Sequence, residues 1–480
     1  MSSISDIKKI REKKREAIRS EGVNPYPAKT KRTHSINEAV SDFAELSQNK
    51  QKITLTGRIL SIREHGGSTF LHFADGTGKI QAFLREDSLS QKQYRFFIDN
   101  FDIGDFIEIG GILFETKRGE KTIEASDFKM LSKSLLPLPE KWHGLTDIEE
   151  RFRKRYLDLI MNPGVKKNFE ERSKMIQIIR EILNKDGFIE VETPVLQPIP
   201  GGAFAKPFKT HLNALELDLY LRVAPELYLK RLLVGGFEKI FEIGRCFRNE
   251  GVDVSHNPDF TMLELYWAYQ NRDGLISFVE KVFIELLERI GKGKTIIYQT
   301  KEINFEIPWK KVSFRDLVKD NTDINIDEIS DKDLMKKIKE LGIKSEKEMP
   351  RYKMLDELYK ETCRDKLIQP TFVIDYPSQM SPLAKTKEEN LDYADRFQLI
   401  IGGIEIINAF SEQNDPKEQE DKFKEVKMAP ERKDKDFIEA LEYGMPPSAG
   451  LGIGLDRLAA LLTDSHSLRD IILFPTMKPK

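Results

Sequence analysis

The chain has 480 residues, with 77 Lys or Arg against 79 Asp or Glu and a formal net charge of −2. The length holds about two to four domains, and the near-neutral balance excludes a generic polycationic grip on nucleic acid, so any such contact has to come from local basic patches. Two cysteines, Cys246 and Cys363, exclude a disulfide framework or thiolate zinc site. No stretch approaches a membrane span, and the N-terminus is charged from Lys8 onward with no apolar signal core, so a soluble cytoplasmic protein is expected.

Residues 5–22, SDIKKIREKKREAIRSEG, have helical composition, with Ser5 or Asp6 placed to cap the start and Gly22 to end it. The helix is either simply solvated or touches RNA phosphates through Lys8, Lys9, Arg11, Lys13, Lys14 and Arg15. From residue 52 to about 131 the pattern changes to five short strands, KITLTGRILSIRE, STFLHFAD, GKIQAFLRED, FIEIGGILFET and KTIEASDFKML, with a helix over 88–98. Five strands with Gly-rich turns predict an OB-type barrel, a fold that binds single strands by stacking and by basic residues. The candidates are Arg58, Arg63, Phe70, Gln81 and Glu120: Phe70 to stack a base, Gln81 and Glu120 to bond base edges. The competing reading makes Phe70 an ordinary core aromatic. Residues 135–139, LLPLP, read as a linker. The basic cluster Arg151, Arg153, Lys154 and Arg155 follows, facing either an RNA backbone or its own salt-bridge partners.

Residues 165–185 have helical periodicity, Gly187 ends the run, and FIEVETPVL reads as a strand stopping near Pro194. Gly201 and Gly202 let backbone approach a ligand closely, and Glu226 opens a helix after Ala224-Pro225, placed to hold an ammonium group. Phe241–Trp267, FEIGRCFRNEGVDVSHNPDFTMLELYW, reads as strand, loop, strand. Such a hairpin brings Arg248, Glu250, His256, Phe260 and Glu264 together, a set suited to a nucleotide and a charged small substrate. A helix is expected over 275–290. Gly293-Lys294-Thr295 is no P-loop, because Glu288 stands where that pattern requires Gly. Residues 316–350 have no aromatics and many charges and read as a helical insertion on the surface, with no chemistry. Two strands follow in DRFQLIIGGIEIINAFSEQND, where alternation puts Asn408, Phe410 and Glu412 on one face. SAGLGIGLDRLAALL reads as a Gly-rich strand turning into a helix with Arg457 in its first turn.

FRNEG followed by HNPDFTMLELYWAY resembles motif 2 of the class II aminoacyl-tRNA synthetases, and is similar specifically to the lysyl-tRNA synthetases of bacterial type. The helix and strand from Val165 resemble motif 1, the dimer interface in that family, and SAGLGIGLDRLAALL resembles motif 3, whose arginine lies against ATP. The resemblance extends over nearly the whole chain. It implies an α+β protein: an N-terminal helical extension (1–50), an OB-fold anticodon-binding β-barrel (51–135), a linker (136–165) and a class II catalytic domain built on an antiparallel sheet flanked by helices (166–480), with an insertion at about 310–365. It implies ATP, L-lysine and tRNA(Lys) as partners, Mg²⁺ as cofactor, a homodimer and no membrane. Arg63, Phe70, Gln81 and Glu120 would read a U-rich anticodon. Gly202 and Glu226 would take the α-amino group, and Glu264, Tyr266, Asn408, Phe410, Glu412 and Gly452 complete the lysine site.

Arg248 is suited to bridge the amino-acid carboxylate and the α-phosphate, because guanidinium makes bidentate contacts. Phe260 and Arg457 would sandwich adenine, with Glu250 and His256 on adenine and phosphate oxygens and Glu405 on ATP and metal. A buried ammonium needs a carboxylate partner, and Glu412, with the Tyr266 hydroxyl, is assigned to it. One departure stands out: the family usually has a magnesium-binding Glu in DRFE, and this chain has Gln398 in DRFQ. An amide oxygen can coordinate Mg²⁺ but supplies no charge. The alternatives are a class II ligase for aspartate or asparagine, against which Glu412 argues, a protein-modifying paralogue, against which the barrel argues, and a catalytically weakened RNA-binding relative, for which only Gln398 speaks.

Overall fold

The computed structural model describes residues 3–139, 145, 147–202, 205–346, 349–425 and 434–479. Parts of the expected linker (140–144, 146), of the Gly-rich stretch (203, 204) and of the insertion (347, 348) lie outside the described residues. The chain divides into two compact units, Met1–Leu145 and Thr146–Lys480.

In the first unit, helix α1 (Ile4–Ser20) is capped by Ser3, not by Ser5 or Asp6. Ser3 and Asp6 form a reciprocal capping box, with the Asp6 N–H donating to Ser3 Oγ at 3.1 Å. Helices α2 (Ile36–Ser41) and α3 (Phe43–Gln48) precede strands β1 (Lys52–His65), β2 (Ser68–Ala74) and β3 (Lys79–Arg85), helix α4 (Gln91–Asn100), and strands β4 (Phe106–Glu115) and β5 (Lys121–Ser132). The strands close a barrel in the order β1-β2-β3-β5-β4. Period-two burial sends Leu55, Ile59, Leu71, Phe73, Ile107 and Ile109 inward. Ile36, Ala39, Phe43 and Leu46 of α2 and α3 belong to the same core, so packing does not break at residue 50.

The second unit opens with α5 (Ile148–Arg153), α6 (Arg155–Met161) and α7 (Pro163–Lys185), so residues 148–161, expected within a linker, are helical. Strands β6 (Ile189–Glu190), β7 (Leu196–Gln197), β8 (Lys209–Leu212) and β9 (Leu217–Leu221), helix α8 (Glu226–Val234), the hairpin β10 (Lys239–Phe247) and β11 (Asp259–Ala268), and α9 (Arg272–Arg289) follow. Next come β12 (Thr295–Tyr298), β13 (Lys301–Asn304), β14 (Lys310–Ser313), α10 (Phe314–Thr322), α11 (Asp331–Glu340), α12 (Arg351–Thr362) and β15 (Thr371–Pro377). The chain ends with β16 (Tyr393–Ile401), β17 (Ile404–Ser411), α13 (Pro416–Glu425), α14 (Lys435–Glu442), β18 (Ser448–Gly454), α15 (Leu455–Leu462) and α16 (Leu468–Ile471).

Among the described residues the main sheet has eight strands in the order β14-β15-β16-β17-β18-β11-β10-β6, antiparallel except at its two edges. Alternation divides its side chains between two faces. Phe397, Leu399, Ile407, Ala409, Leu451, Ile453, Leu263 and Leu265 share a core with α7, α9 and α15. The other face carries Arg396 and Gln398, Asn408 and Phe410, Gly450, Gly452 and Gly454, and Met262, Glu264 and Tyr266, in register from strand to strand. The stretch 310–365, expected as a surface insertion, contributes the edge strand β14. Its helices share a core with Val373, Tyr376 and Ile400 of the sheet. No helix among the described residues is long and apolar enough to cross a membrane.

Candidate active site

The β10–β11 hairpin sets one end of the site. The Arg248 N–H donates to the Pro258 carbonyl at 2.8 Å, closing the loop between the strands. The Arg248 guanidinium carbon then lies 5.0 Å from the centroid of Phe260. Arg248 Nε is buried without a hydrogen-bond partner among the described residues, which leaves a donor for a ligand. Arg457 Nη2 stands 3.5 Å from His256 Nε2, and Arg457 Nη1 donates to the Glu405 carbonyl at 3.2 Å. His256 Nδ1 meets Asp253 at 2.9 Å, and Glu250 accepts the Lys206 N–H at 3.3 Å. Asp456 anchors the helix that carries Arg457: it accepts the Thr261 N–H and the Arg172 guanidinium, each at 2.8 Å, joining α15 to β11 and α7. Asp456 and Arg172 escaped sequence reasoning. The available signal was an Asp next to Arg457 in a helical first turn otherwise apolar.

The other end of the site is a pocket of carboxylates. Glu226 is the first residue of α8, and Gly202, at φ +85°, packs so close that a Cβ there would lie 2.9 Å from Ala224 Cβ and 3.2 Å from Glu226 Cβ. A cavity of about 200 Å³ is lined by Gly202, Glu226, Ser381, Arg396, Asn408 and Phe410 among others. Behind it Tyr266 donates to Glu264 at 3.1 Å, and both are buried. Glu412 follows the end of β17, its N–H bonded to the Ser448 carbonyl at 2.8 Å, and is 1% exposed. Gly450, opposite both Tyr266 and Phe410, makes room: a Cβ there would stand 2.3 Å from Glu412 Oε1 and 2.5 Å from Tyr266 Cε1. Gly450 went unassigned in the sequence, as did Lys230, which donates to Glu226 at 2.7 Å and ion-pairs with Glu412. Burial pushes the Glu226 carboxyl up. Burial, and then Glu226, push Glu264 well up. Burial raises Glu412 to about 8, against the pull of Lys230.

Glu405 reaches the site face through a bulge. Simple alternation would set it opposite Asn408, but the ladder pairs Ile400 with Glu405 and Leu399 with Ile407, so the extra residue returns Glu405 to the side of Gln398. Gln398 is buried and its Oε1 accepts the Tyr376 hydroxyl at 2.7 Å. Among the described residues no three His, Cys, Asp or Glu side chains gather as a metal site.

In the first unit Phe70 lies outside the core and stacks on its cross-strand partner Phe83, centroids 4.3 Å apart. Arg63, exposed, is paired with Phe70 across β1–β2. Gln81 donates to Glu120 at 3.0 Å, and His72, which the sequence reading missed, meets Glu120 at 2.6 Å. Arg58 does not join this face: it lies over Phe106 and donates to the Gly104 carbonyl at 3.0 Å. Nor are all the basic candidates free. Arg11 is buried against the carbonyls of Ile103, Ser134 and Leu136, and Lys14 pairs with Asp102. Arg155 is buried on Asp158, while Arg151, Arg153 and Lys154 pair with Asp158, Glu149 and Glu150.

Residues 147–478 match the family of class II tRNA synthetases (D, K and N), and residues 53–131 match the OB-fold nucleic acid binding domain of the tRNA anti-codon family. The chain belongs to the class II tRNA synthetases, and within them to the lysine–tRNA ligases. It is 47% identical to the lysine–tRNA ligase of Carboxydothermus hydrogenoformans over 99% of both chains. It is 47% identical to that of Pelotomaculum thermopropionicum (99% of this chain, 96% of the relative) and 45% identical to that of Thermotoga maritima (99% and 97%).

Proposed function

We propose that this protein activates L-lysine with ATP and transfers it to the 3′ end of tRNA(Lys). The observation that carries the reading is one sheet face with a guanidinium–aromatic pair at one end and a buried Glu264–Tyr266–Glu412 set at the other.

In the first step a lysine carboxylate oxygen attacks the α-phosphorus in line, the bond to pyrophosphate breaks, and lysyl-adenylate remains. The step needs positioning and charge neutralisation more than proton transfer. Arg248 bridges carboxylate and α-phosphate. Phe260 and Arg457 take the two faces of adenine, with Glu250 and His256 at its edge and at the phosphates. Glu226 and Gly202 hold the α-amino group, and Glu412 with Tyr266 holds the ε-ammonium, while Glu264, Asn408, Phe410 and Gly452 shape the pocket. In the second step a 3′ hydroxyl of the terminal adenosine attacks the activated carbonyl and AMP leaves.

Mg²⁺ typically binds one or two protein carboxylates plus phosphate oxygens. Glu405 fits that role, and Gln398, already an acceptor for Tyr376, fits only as a neutral second ligand. Bound Mg²⁺ supplies charge neutralisation at the phosphates. The barrel face with Arg63, Phe70, Gln81 and Glu120 reads the anticodon, and the protein works as a cytoplasmic homodimer.

The test is amino-acid-dependent ATP–pyrophosphate exchange across the twenty amino acids at varied Mg²⁺. Exchange with lysine alone is expected, and Gln398→Glu is expected to recover exchange at limiting Mg²⁺. No exchange with any amino acid, from folded protein that binds tRNA, would overturn the reading.

A further inference from the structure

The carboxylate pocket already contains a lysine of the chain's own. Lys230, one turn after Glu226 on α8, has no exposed surface. Its Nζ donates to Glu226 Oε1 at 2.7 Å, ion-pairs with Glu412 Oε2, reaches the Leu383 carbonyl at 3.4 Å and lies 5.3 Å from the centroid of Phe410. The two carboxylates read above as ligands of the substrate's two ammonium groups are thus joined by one internal cation. Either substrate displaces Lys230, or Lys230 stays.

Two observations favour staying. The first is placement. Lys230 does not line the cavity, whereas Glu226 does. It sits on the helix face that carries Leu227, Leu229 and Leu233 into a core, so withdrawal would break that packing. Each carboxylate also keeps an oxygen in reserve: Lys230 uses Glu226 Oε1, and Glu412 Oε1 is buried with no partner among the described residues.

The second is charge. Glu226, Glu264 and Glu412 supply three carboxylates, and among the described residues Lys230 is the cation ion-paired with them: Arg222 pairs with Glu242, Arg231 with Asp434 of α14, and Arg396, which lines the cavity with Glu226, donates to Asn408, Ser381 and the Met380 carbonyl. With all three ionised, as binding of lysine requires, and Lys230 in place, two carboxylate charges are left for the substrate. Lysine brings two ammonium groups, and its carboxylate goes to Arg248. Counted over these carboxylates and the cation ion-paired with them, charge closes at zero with Lys230 in place, and buried charge that is not closed is costly.

We propose that Lys230 is a specificity-determining positioning residue, a permanent bracket that aims Glu226 and Glu412 and trims the pocket to the two charges that lysine matches. The inference rests on the reading of these carboxylates as the lysine site. The groups it faces are Glu226 on its own helix, Glu412 beyond β17, and Glu264 with Tyr266 on β11. Their raised carboxyl pKa values, with Glu412 at about 8 even beside Lys230, fit a site that would take up a further proton without it.

Lys230→Met is the test, read by pyrophosphate exchange and by calorimetric titration of lysine. The expected result is a lysine KM raised on the order of 100-fold with the ATP KM nearly unchanged, the scale of a broken buried pair. The pH at which lysine affinity reaches its plateau should also move upward. Unchanged or tighter lysine binding would overturn the proposal and make Lys230 inert or a displaced occupant. The wild-type protein gives a second reading should the variant not fold: calorimetry at pH 8 in buffers of different ionisation heat should show net proton release on lysine binding, because Glu412 gives up its proton while Lys230 stays. Net proton uptake, the mark of a carboxylate left without its cation, would overturn it. Loss of lysine-dependent exchange in the wild type would instead sink the functional reading beneath it.

Discussion

The barrel face and the carboxylate pocket handle charge in opposite ways. On the barrel, Arg63 is exposed, Glu120 is shared between Gln81 and His72, and Phe70 stacks on Phe83 at the surface. Solvent reaches Arg63 and the Glu120 carboxylate and screens their charges, so neither has to be matched by one buried partner. In the pocket, Glu226 and Lys230 of α8, Glu264 and Tyr266 of β11, and Glu412 just beyond β17 are all buried. There Lys230 is shared by Glu226 and Glu412, and loss of any member leaves buried charge without a partner. A long polymer can be read by adding many modest contacts. A small substrate with two ammonium groups is selected by a few that admit no substitute.

The sharpest way to break this contrast is Glu412→Gln. It removes a buried carboxylate whose Oε1 has no partner among the described residues, and lysine binding should weaken by about 3–5 kcal/mol, read as a raised lysine KM in pyrophosphate exchange. A change of less than threefold would show that the ε-ammonium is held elsewhere. Gly450→Ala tests the same pocket without altering charge. The added methyl would meet Glu412 Oε1 at 2.3 Å and Tyr266 Cε1 at 2.5 Å. Overpacking of this kind costs about 1–3 kcal/mol, and it should appear in the lysine KM and leave the ATP KM alone. Phe70→Ala is the counterpart on the barrel. Loss of one stacked base costs about 1–3 kcal/mol, so tRNA KM should rise while tRNA-independent exchange stays at the wild-type rate. A fall in exchange would mean that Phe70 acts on the fold and not on RNA.

These two regions were also legible to different degrees. The barrel's strands and the β10–β11 hairpin follow from period-two alternation between turn residues, and the site-bearing strand ends fall within one or two residues of expectation. Alternation also put Asn408 and Phe410 on one face. It could not place Glu405, because a bulge adds a residue that no local composition marks. Basic residues were the least legible. Arg11, Arg155 and Lys230 look like solvated cations in sequence, yet each is buried on carbonyls or carboxylates supplied by distant segments. A charge's partner is a tertiary fact, and the helix that carries it holds no sign of it. Lys230 was overlooked for that reason, as were Asp456 and Arg172, whose bond joins residues 284 apart.

The smallest expected effect separates the regions by pH. Burial holds the empty pocket's Glu412 carboxyl at about 8, so near neutrality it is mostly protonated and offers the substrate no charge. Binding an ammonium group requires that proton to leave. Lysine affinity should therefore rise as pH climbs from 7 through 8 and level off by about 9, a gain of roughly tenfold for one proton displaced. At higher pH the ε-ammonium, with an ordinary pKa near about 10.4, begins to lose its own proton and the gain reverses. ATP affinity involves no such carboxyl and should not share the rise between 7 and 9. A flat lysine profile over that range would mean that Lys230 already keeps Glu412 fully ionised in the empty enzyme. The pocket would then differ from the barrel in burial alone, and not in how readily its charges change.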